Sequence, residues 1–339
     1  MADDLKTGDP VTQATLDIVG IGNAIVDVIA QSDDAFIASH ALNKGAMQLV
    51  DAETAELLYG EMGPGLEVSG GSAANTLAGM AALGMKCGFI GQVSEDQLGG
   101  VFAHDIRALG IHYTTPASNE GVPTARCLIL VTPDAQRTMN TFLGASQYLP
   151  ASALDPELIA SARMLYLEGY LWDPEEPRKA MRSAIALARE AGREVAFTLS
   201  DNFCIARHRD DFCALIDNGQ IDVLFANEGE IKSLNETDNF EKAVAATAGK
   251  VRTLVVTRSE KGAIAVQDGS RYEVAAEPVP QVVDTTGAGD LFAAGFLTGY
   301  LSGRPVGESL SMGAIAAAEV ISHYGARAEA DLKALMPKA

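Results

Sequence analysis

The chain has 339 residues, 47% of them hydrophobic and 21% charged, with a formal net charge of −20. It can bury a sizeable core, either as one domain at the upper end of the usual size or as a domain with an appendage. Without a Lys/Arg run to form a basic face it is not built as a general nucleic-acid or anionic-membrane binder, although a few local donors and a metal suffice to hold a nucleotide.

Residues 1–15 are polar and read as a frayed start that lacks the apolar stretch of a signal peptide. Leu16 to Gly22 reads as a buried strand ending in glycines, Ile25 to Ala30 as a second strand with Asp27 inside it, and Ala46 to Val50 as a third. Ser72 to Leu83 has helical periodicity, with Ala73, Leu77, Met80 and Ala81 on one face and Gly84 as its stop. Cys87 to Val93 reads as a strand and Gln97 to Leu109 as a helix closed by Gly110. Thr124–Thr132 and Arg137–Phe142 flank Pro133-Asp134-Ala135-Gln136, a hairpin signal that, with the early short strands, predicts a small β element outside the main sheet.

From about residue 160 strands and helices alternate. Strands are expected at Met164–Leu167, Glu194–Leu199, Val223–Ala226 and Thr253–Thr257. The helices between them are Glu175–Ala191, Ile205–Ile216, Glu228–Leu234 and Phe240–Ala248. Two more strands, Ala263–Gln267 and Tyr272–Ala275, precede helices over 288–301 and about 306–322. This is the βαβ pattern of a mostly parallel sheet covered by helices on both faces. The expected organisation is one α/β domain over 16–330 with a β lid from segments around 25–50 and 113–142. No apolar run approaches the ~20 residues that span a bilayer. Cys87, Cys127, Cys204 and Cys213 form no CxxC pair and read as reduced thiols of a cytoplasmic protein.

The most informative segment is Val282-Val283-Asp284-Thr285-Thr286-Gly287-Ala288-Gly289-Asp290. Val282 and Val283 read as a strand end, the two glycines as a tight turn, and Leu291, Phe292, Phe296 and Leu297 as the apolar face of a helix. The free N–H groups of a helix's first turn bind anions. A carboxylate, Asp290, stands in that same turn. An anion-binding turn that also holds a base suits phosphoryl transfer to a hydroxyl. The plainer reading is a shaped turn with a capping Asp. Three more segments stand out. Ser69-Gly70-Gly71-Ser72-Ala73-Ala74-Asn75 opens a helix with a glycine pair that lets backbone approach a ligand. Asp27 is a charge in an apolar run and needs a partner or a ligand, unless it faces water at a strand end. Asn227-Glu228-Gly229-Glu230 follows a strand and is at least a helix cap with acidic first-turn residues.

The run Asp284-Thr285-Thr286-Gly287-Ala288-Gly289-Asp290 resembles the DTxGAGD signature of the ribokinase-like (PfkB) carbohydrate kinases. The glycine pair with Asn75, and Asn227 with Glu230, match that family's GGxxxN and NxxE motifs in the correct order. The resemblance covers roughly 16–330 and implies a ribokinase-like fold, ATP and Mg²⁺. It implies Asp290 as base, an anion hole from Gly287, Ala288 and Gly289, and Asp27, Gly70, Gly71 and Asn75 on the sugar hydroxyls. A carboxylate only accepts hydrogen bonds, which suits a vicinal diol. Asn227 and Glu230 would organise Mg²⁺ and its waters, since Mg²⁺ needs few protein ligands. Thr257 and Gly262 would line the nucleotide phosphates, with Ser259 standing where many members carry glycine. Arg137, on the lid, would swing over the transferring phosphoryl, or is a solvated hairpin arginine. A monovalent cation such as K⁺ near Asp284 is a further implication. The chain looks most like bacterial adenosine kinase-like members, through 134–139, Gly169-Tyr170-Leu171-Trp172 and Ser322-His323-Tyr324-Gly325. Tyr170, Trp172 and Phe203 would stack on a base or belong to the core.

The expected reaction is therefore transfer of the γ-phosphoryl group of ATP to the 5′-hydroxyl of adenosine. The alternatives are a free-sugar kinase of ribokinase or fructokinase type and a non-catalytic ligand-binding member of the fold. An oxidoreductase on a similar sheet is disfavoured, because Gly20-Ile21-Gly22 lacks the third glycine of a dinucleotide fingerprint. The exposed edge of the lid sheet could pair with another copy, giving a monomer or a homodimer.

Overall fold

The computed structural model describes residues 14–134 and 136–338. The frayed reading of the start falls almost wholly outside the described residues, which begin at Ala14. The strands are β1 Leu16–Ile21, β2 Ile25–Gln31, β3 Met47–Leu49, β4 Gly65–Gly70, β5 Cys87–Ile90, β6 His112–Tyr113 and β7 Ala125–Val131. They continue as β8 Arg137–Phe142, β9 Ala162–Glu168, β10 Glu194–Thr198, β11 Val223–Asn227, β12 Thr253–Thr257, β13 Ala263–Gln267 and β14 Ser270–Val274. The helices are α1 Asp34–Ser39, α2 Ala52–Glu61, α3 Ser72–Ala82, α4 Gln97–Ala108, α5 Pro156–Ser161 and α6 Glu175–Glu190. Then come α7 Asn202–Asp217, α8 Glu228–Leu234, α9 Phe240–Ala248, α10 Ala288–Leu301, α11 Val306–Val320 and α12 Leu332–Leu335. No helix among the described residues is long and apolar enough to cross a membrane.

The large sheet runs β14-β13-β12-β11-β10-β9-β1-β5-β6, parallel from β12 through to β6 and antiparallel at the β13–β14 edge. Its strands feed two cores. Along β9, Met164 and Tyr166 enter the core shared with α3, α10 and α11, while Leu165 and Leu167 enter the one shared with α6 and α7. A strand buried on both faces reads as a continuous apolar run, which is why these strands are visible in the sequence.

The second sheet runs β3-β8-β7-β2-β4. In β2 the alternation is clean: Val26, Val28 and Ala30 are buried, whereas Ile25, Asp27 and Ile29 line the other, more open face. Strand β4 supplies an edge that sequence pattern leaves unassigned. Gly-Leu-Glu-Val-Ser-Gly has glycine at both ends and little β preference, and its register comes from pairing with β2. The second sheet thus adds 65–70 to the expected segments, and residue 113, the expected start of one of them, belongs to the edge of the large sheet. The short helices α1, α2 and α5 were also unassigned, and Asp33, Asp51 and Asp155 cap them through side-chain oxygens.

Candidate active site

Strand β1 ends beneath the start of α3, and α10 packs beside α3, so two helix N-termini meet over the C-terminal ends of the central strands of the large sheet. The expected strand at Val282–Val283 is not one. The Val283 and Asp284 N–H groups donate to the Ile321 carbonyl at the end of α11, and the segment passes outside the sheet. The turn behind it is as expected. Gly287 caps α10 in the left-handed region with φ +77°, and Asp290 lies in the first helical turn. The Ala288 N–H donates to the Thr285 carbonyl at 3.2 Å, so one of the three amides expected in the anion hole already has a partner. At Gly289 there is open space where a Cβ would stand.

Asp290 joins two motifs more than 200 residues apart. Its Oδ1 accepts from Ser72 Oγ at 2.7 Å and its Oδ2 from Asn75 Nδ2 at 3.2 Å. Burial raises the Asp290 pKa, while those two hydrogen bonds and Arg327 oppose the rise. Asn75 Oδ1 is buried with no partner among the described residues. Gly71, with φ +99°, tolerates no side chain, because a Cβ would overlap the Asn23 carbonyl oxygen. At Gly70 a Cβ would overlap the carboxylate of Asp27. Burial pushes the Asp27 pKa up to about 6, with Arg327 and Arg137 lowering it and Asp290 raising it. Asp27, Asn75 and Asp290 therefore form one acidic, partly desolvated cluster.

Arg137 is not a solvated hairpin residue: it is only 8% exposed. Its guanidinium pairs with Asp284, donates from Nη1 to Thr286 Oγ1 at 3.4 Å, and lies 6.0 Å from the Tyr324 ring. Its Nε and Nη2 are buried without partners among the described residues. Asp284 also accepts from Thr286 N–H, Thr286 Oγ1 and the Gly325 N–H, at 3.0, 2.7 and 3.0 Å.

On the other side, Asn227 and Thr257 are register partners at the ends of β11 and β12. Asn227 Oδ1 accepts from the Glu230 N–H at 2.9 Å, and Glu230 accepts from the Asn227 N–H and Nδ2 at 2.9 and 2.5 Å. This closed capping box holds Glu230 nearly buried, and burial raises its pKa to about 7. Gly262 has φ +83°, and a Cβ there would overlap the Val274 carbonyl oxygen. Ser259, with φ +51°, adopts the left-handed conformation that glycine favours. No cluster of three or more His, Cys, Asp or Glu residues among the described ones could cage a metal. One buried carboxylate and one amide instead fit an ion that keeps most of its waters.

Of the three aromatics, Trp172 is core, stacked edge-on with Phe197 and Phe212. Phe203 is 73% exposed, and Tyr170 donates to the Ser200 carbonyl. Two residues bonded into the site escape sequence reasoning. Arg327 donates to the Ala74 carbonyl, the Ser69 carbonyl and Ser69 Oγ at 3.1, 2.5 and 3.0 Å, beside Asp27, Asp105 and Asp290. No pattern marks it. Glu168, fully buried, is a charge closing the apolar run Met164–Leu167, so the rule that singled out Asp27 would have found it.

A model of the pfkB family of carbohydrate kinases matches residues 62–333. The chain is 47% identical to the adenosine kinase from Sinorhizobium meliloti, with a TM-score of 0.86, covering 95% of this chain and 98% of that one. It is 46% identical to a probable sugar kinase protein from Rhizobium etli, with a TM-score of 0.87 and the same coverage. It is also 27% identical to adenosine kinase 1 from Arabidopsis thaliana over 91% of this chain and 94% of that one.

Proposed function

The chain belongs to the pfkB family of carbohydrate kinases, a phosphotransferase with an alcohol acceptor, and on that premise we propose that it transfers the γ-phosphoryl group of ATP to the 5′-hydroxyl of adenosine. The carrying observation is Asp290. It is a half-buried carboxylate in the first turn of α10, held between Ser72 and Asn75 and next to an unpartnered acceptor, Asn75 Oδ1. As the acceptor oxygen bonds to phosphorus and the bond to the ADP oxygen breaks, Asp290 takes the hydroxyl proton. The Gly287 and Gly289 amides would face the charge of the moving group, with the Ala288 N–H joining them only on leaving the Thr285 carbonyl, and the open space at Gly289 admits it. Arg137 has buried donors to spare and covers the phosphoryl from the lid. Closing the lid excludes water, the competing acceptor.

Asp27, Gly70, Gly71 and Asn75 hold the ribose. Thr257 and Gly262 line the nucleotide phosphates. Asn227 and Glu230 would hold Mg²⁺, which would supply charge neutralisation there. The cation beside Asp284 is the Arg137 guanidinium, so a K⁺ ion there requires Arg137 to leave. Three of the four free thiols are buried, in keeping with the reducing cytoplasm.

Adenosine is favoured by the face of the second sheet that carries Asp27. In register with Asp27 are Cys127 and Thr141, then Leu49; the next row holds Ile29, Ile129, Met139, Met47 and Leu66. Met47, Leu49 and Leu66 are 54%, 63% and 64% exposed. A free sugar buries nothing there, whereas a nucleobase does. The second reading, a free-sugar kinase, draws on the 46% identity to the probable sugar kinase protein. The deciding experiment is Mg²⁺-dependent ATP consumption with adenosine, inosine, guanosine, ribose and fructose, using Asp290→Asn as control. Turnover with adenosine that the control lacks is the expected result. Turnover with ribose or fructose alone moves the acceptor to the free sugars.

A further inference from the structure

The chain passes between the two sheets four times: at 22–24 from β1 to β2, at Gly71 from β4 to α3, through 114–124 from β6 to β7, and after Phe142 from β8 towards β9. Two of these crossings meet at one side chain, and a third joins them through a neighbour. Glu168 is the last residue of β9, at the centre of the large sheet, and is fully buried. Its Oε1 accepts from the Asn23 N–H at 2.8 Å and from Asn23 Nδ2 at 2.7 Å. Its Oε2 accepts from the Ala73 N–H at 2.8 Å. Asn23 Oδ1 in turn accepts from Ser146 Oγ at 2.8 Å. One carboxylate thereby ties the first crossing to the second and, through Asn23, to the fourth. The third crossing is anchored where Asp96 accepts from Thr124 N–H and Oγ1 at 2.8 and 2.6 Å, and it touches the fourth where the Ala145 N–H donates to the Pro123 carbonyl at 2.8 Å. The seat is close-fitting, since a Cβ on Gly22 would stand 2.5 Å from Glu168 Oε2.

A buried carboxylate that accepts three donors is costly to place and needs a reason. The proposed acceptor site supplies one, because it is split between the sheets. Asp27 sits on the second sheet, and Asn75 and Asp290 sit on α3 and α10 over the large one. We infer that Glu168 is the pin of the inter-sheet junction, a positioning residue that holds Asp27 in register with Asn75 and Asp290. Its effect on turnover rests on the kinase reading; its effect on the junction does not. The nucleotide-side residues Asn227, Glu230, Thr257 and Gly262 all belong to the large sheet and its loops, so they lie outside what the pin controls.

The test is Glu168→Gln in the full chain. Glutamine keeps one oxygen and turns an NH₂ towards the N–H of either Asn23 or Ala73. Acceptor KM is expected to rise about tenfold, the loss of one buried hydrogen bond to a charged group, while ATP KM stays put. Hydrogen exchange of the free protein is expected to quicken at the Asn23 and Ala73 amides. Ser146→Ala, which removes only the outer link, should move acceptor KM in the same direction by less, and it decides the matter if the glutamine variant does not fold. Unchanged exchange at 22–24 and 73, or an ATP KM that climbs in step with the acceptor KM, overturns the assignment. Should the wild-type protein phosphorylate none of the acceptors, the kinase reading falls and the exchange measurement still judges the pin.

Discussion

The two sides of the site are built differently. The proposed nucleotide side comes from one sheet: Asn227 and Thr257 are neighbours on adjacent strands, and Asn227 and Glu230 close on each other within a single helical turn. The proposed acceptor side spans two sheets, with Asp27 on one, Asn75 and Asp290 over the other, and Arg137 and Arg327 reaching in from residues far along the chain. A surface made by local hydrogen bonds is preformed as soon as the sheet exists. A surface made across a junction depends on contacts that hold the two bodies in register, and those contacts become places where substrate affinity can be lost without touching substrate.

The largest expected effect falls where the two sides meet. Asp290→Asn should lower the rate of the chemical step by about 10²–10⁴-fold, the usual share of a general base, with ATP binding kept; single-turnover measurement separates the two. If its rate stays near wild type, the proton goes elsewhere and the comparison loses its meeting point. The glycines come next and act as a reciprocal pair. Gly71→Ala forces a Cβ onto the Asn23 carbonyl and Gly262→Ala forces one onto the Val274 carbonyl, both at positive φ. Each costs about 1–3 kcal/mol locally. The first should raise acceptor KM alone and the second ATP KM alone, and a crossed or shared response would show that the sides are not separable.

Acid should then weaken the acceptor side. Asp27 titrates at about 6 because burial disfavours its charge. Its acceptor capacity is present above that pH and is lost as pH falls through it, so acceptor KM rises towards pH 5; in Asp27→Asn this limb should vanish. The stability effect has the opposite sign from that of a paired surface carboxylate. Folded Asp27 holds its proton to a higher pH than the unfolded chain does, so its contribution to stability falls as pH rises from about 4 to about 6. A Tm series across that range, compared between the wild-type protein and Asp27→Asn, measures it. The smallest effect belongs to the preformed side: Asn227→Ala removes a helix cap and should cost about 1 kcal/mol in urea unfolding.

Where local chemistry decides, the sequence reads well. Helices Glu228–Leu234 and Phe240–Ala248 and strand Thr253–Thr257 begin and end where caps and apolar runs place them, because a cap accepts an N–H only three residues on. Strand β4 was invisible because its register is borrowed from β2. The strand expected at Val282–Val283 failed because short apolar runs carry no sign of whether a sheet edge is within reach, and here the α11 terminus takes the backbone first. Trp172 reads equally as a base platform or as core until the packing of Phe197 and Phe212 is known.

By itself the sequence determined the α/β alternation, the glycine turn with its carboxylate, the helix cap at Asn227 and the family these motifs mark. All of these rest on hydrogen bonds and periodicities spanning a few residues. Only the tertiary structure decided that Asp290 bonds to Ser72 and Asn75, that Arg137 is buried against Asp284, and that Glu168 gathers two chain crossings and, through Asn23, a third. Those are pairings among groups tens to hundreds of residues apart. Their strength comes from being removed from water together, a condition that exists only once the two sheets have met.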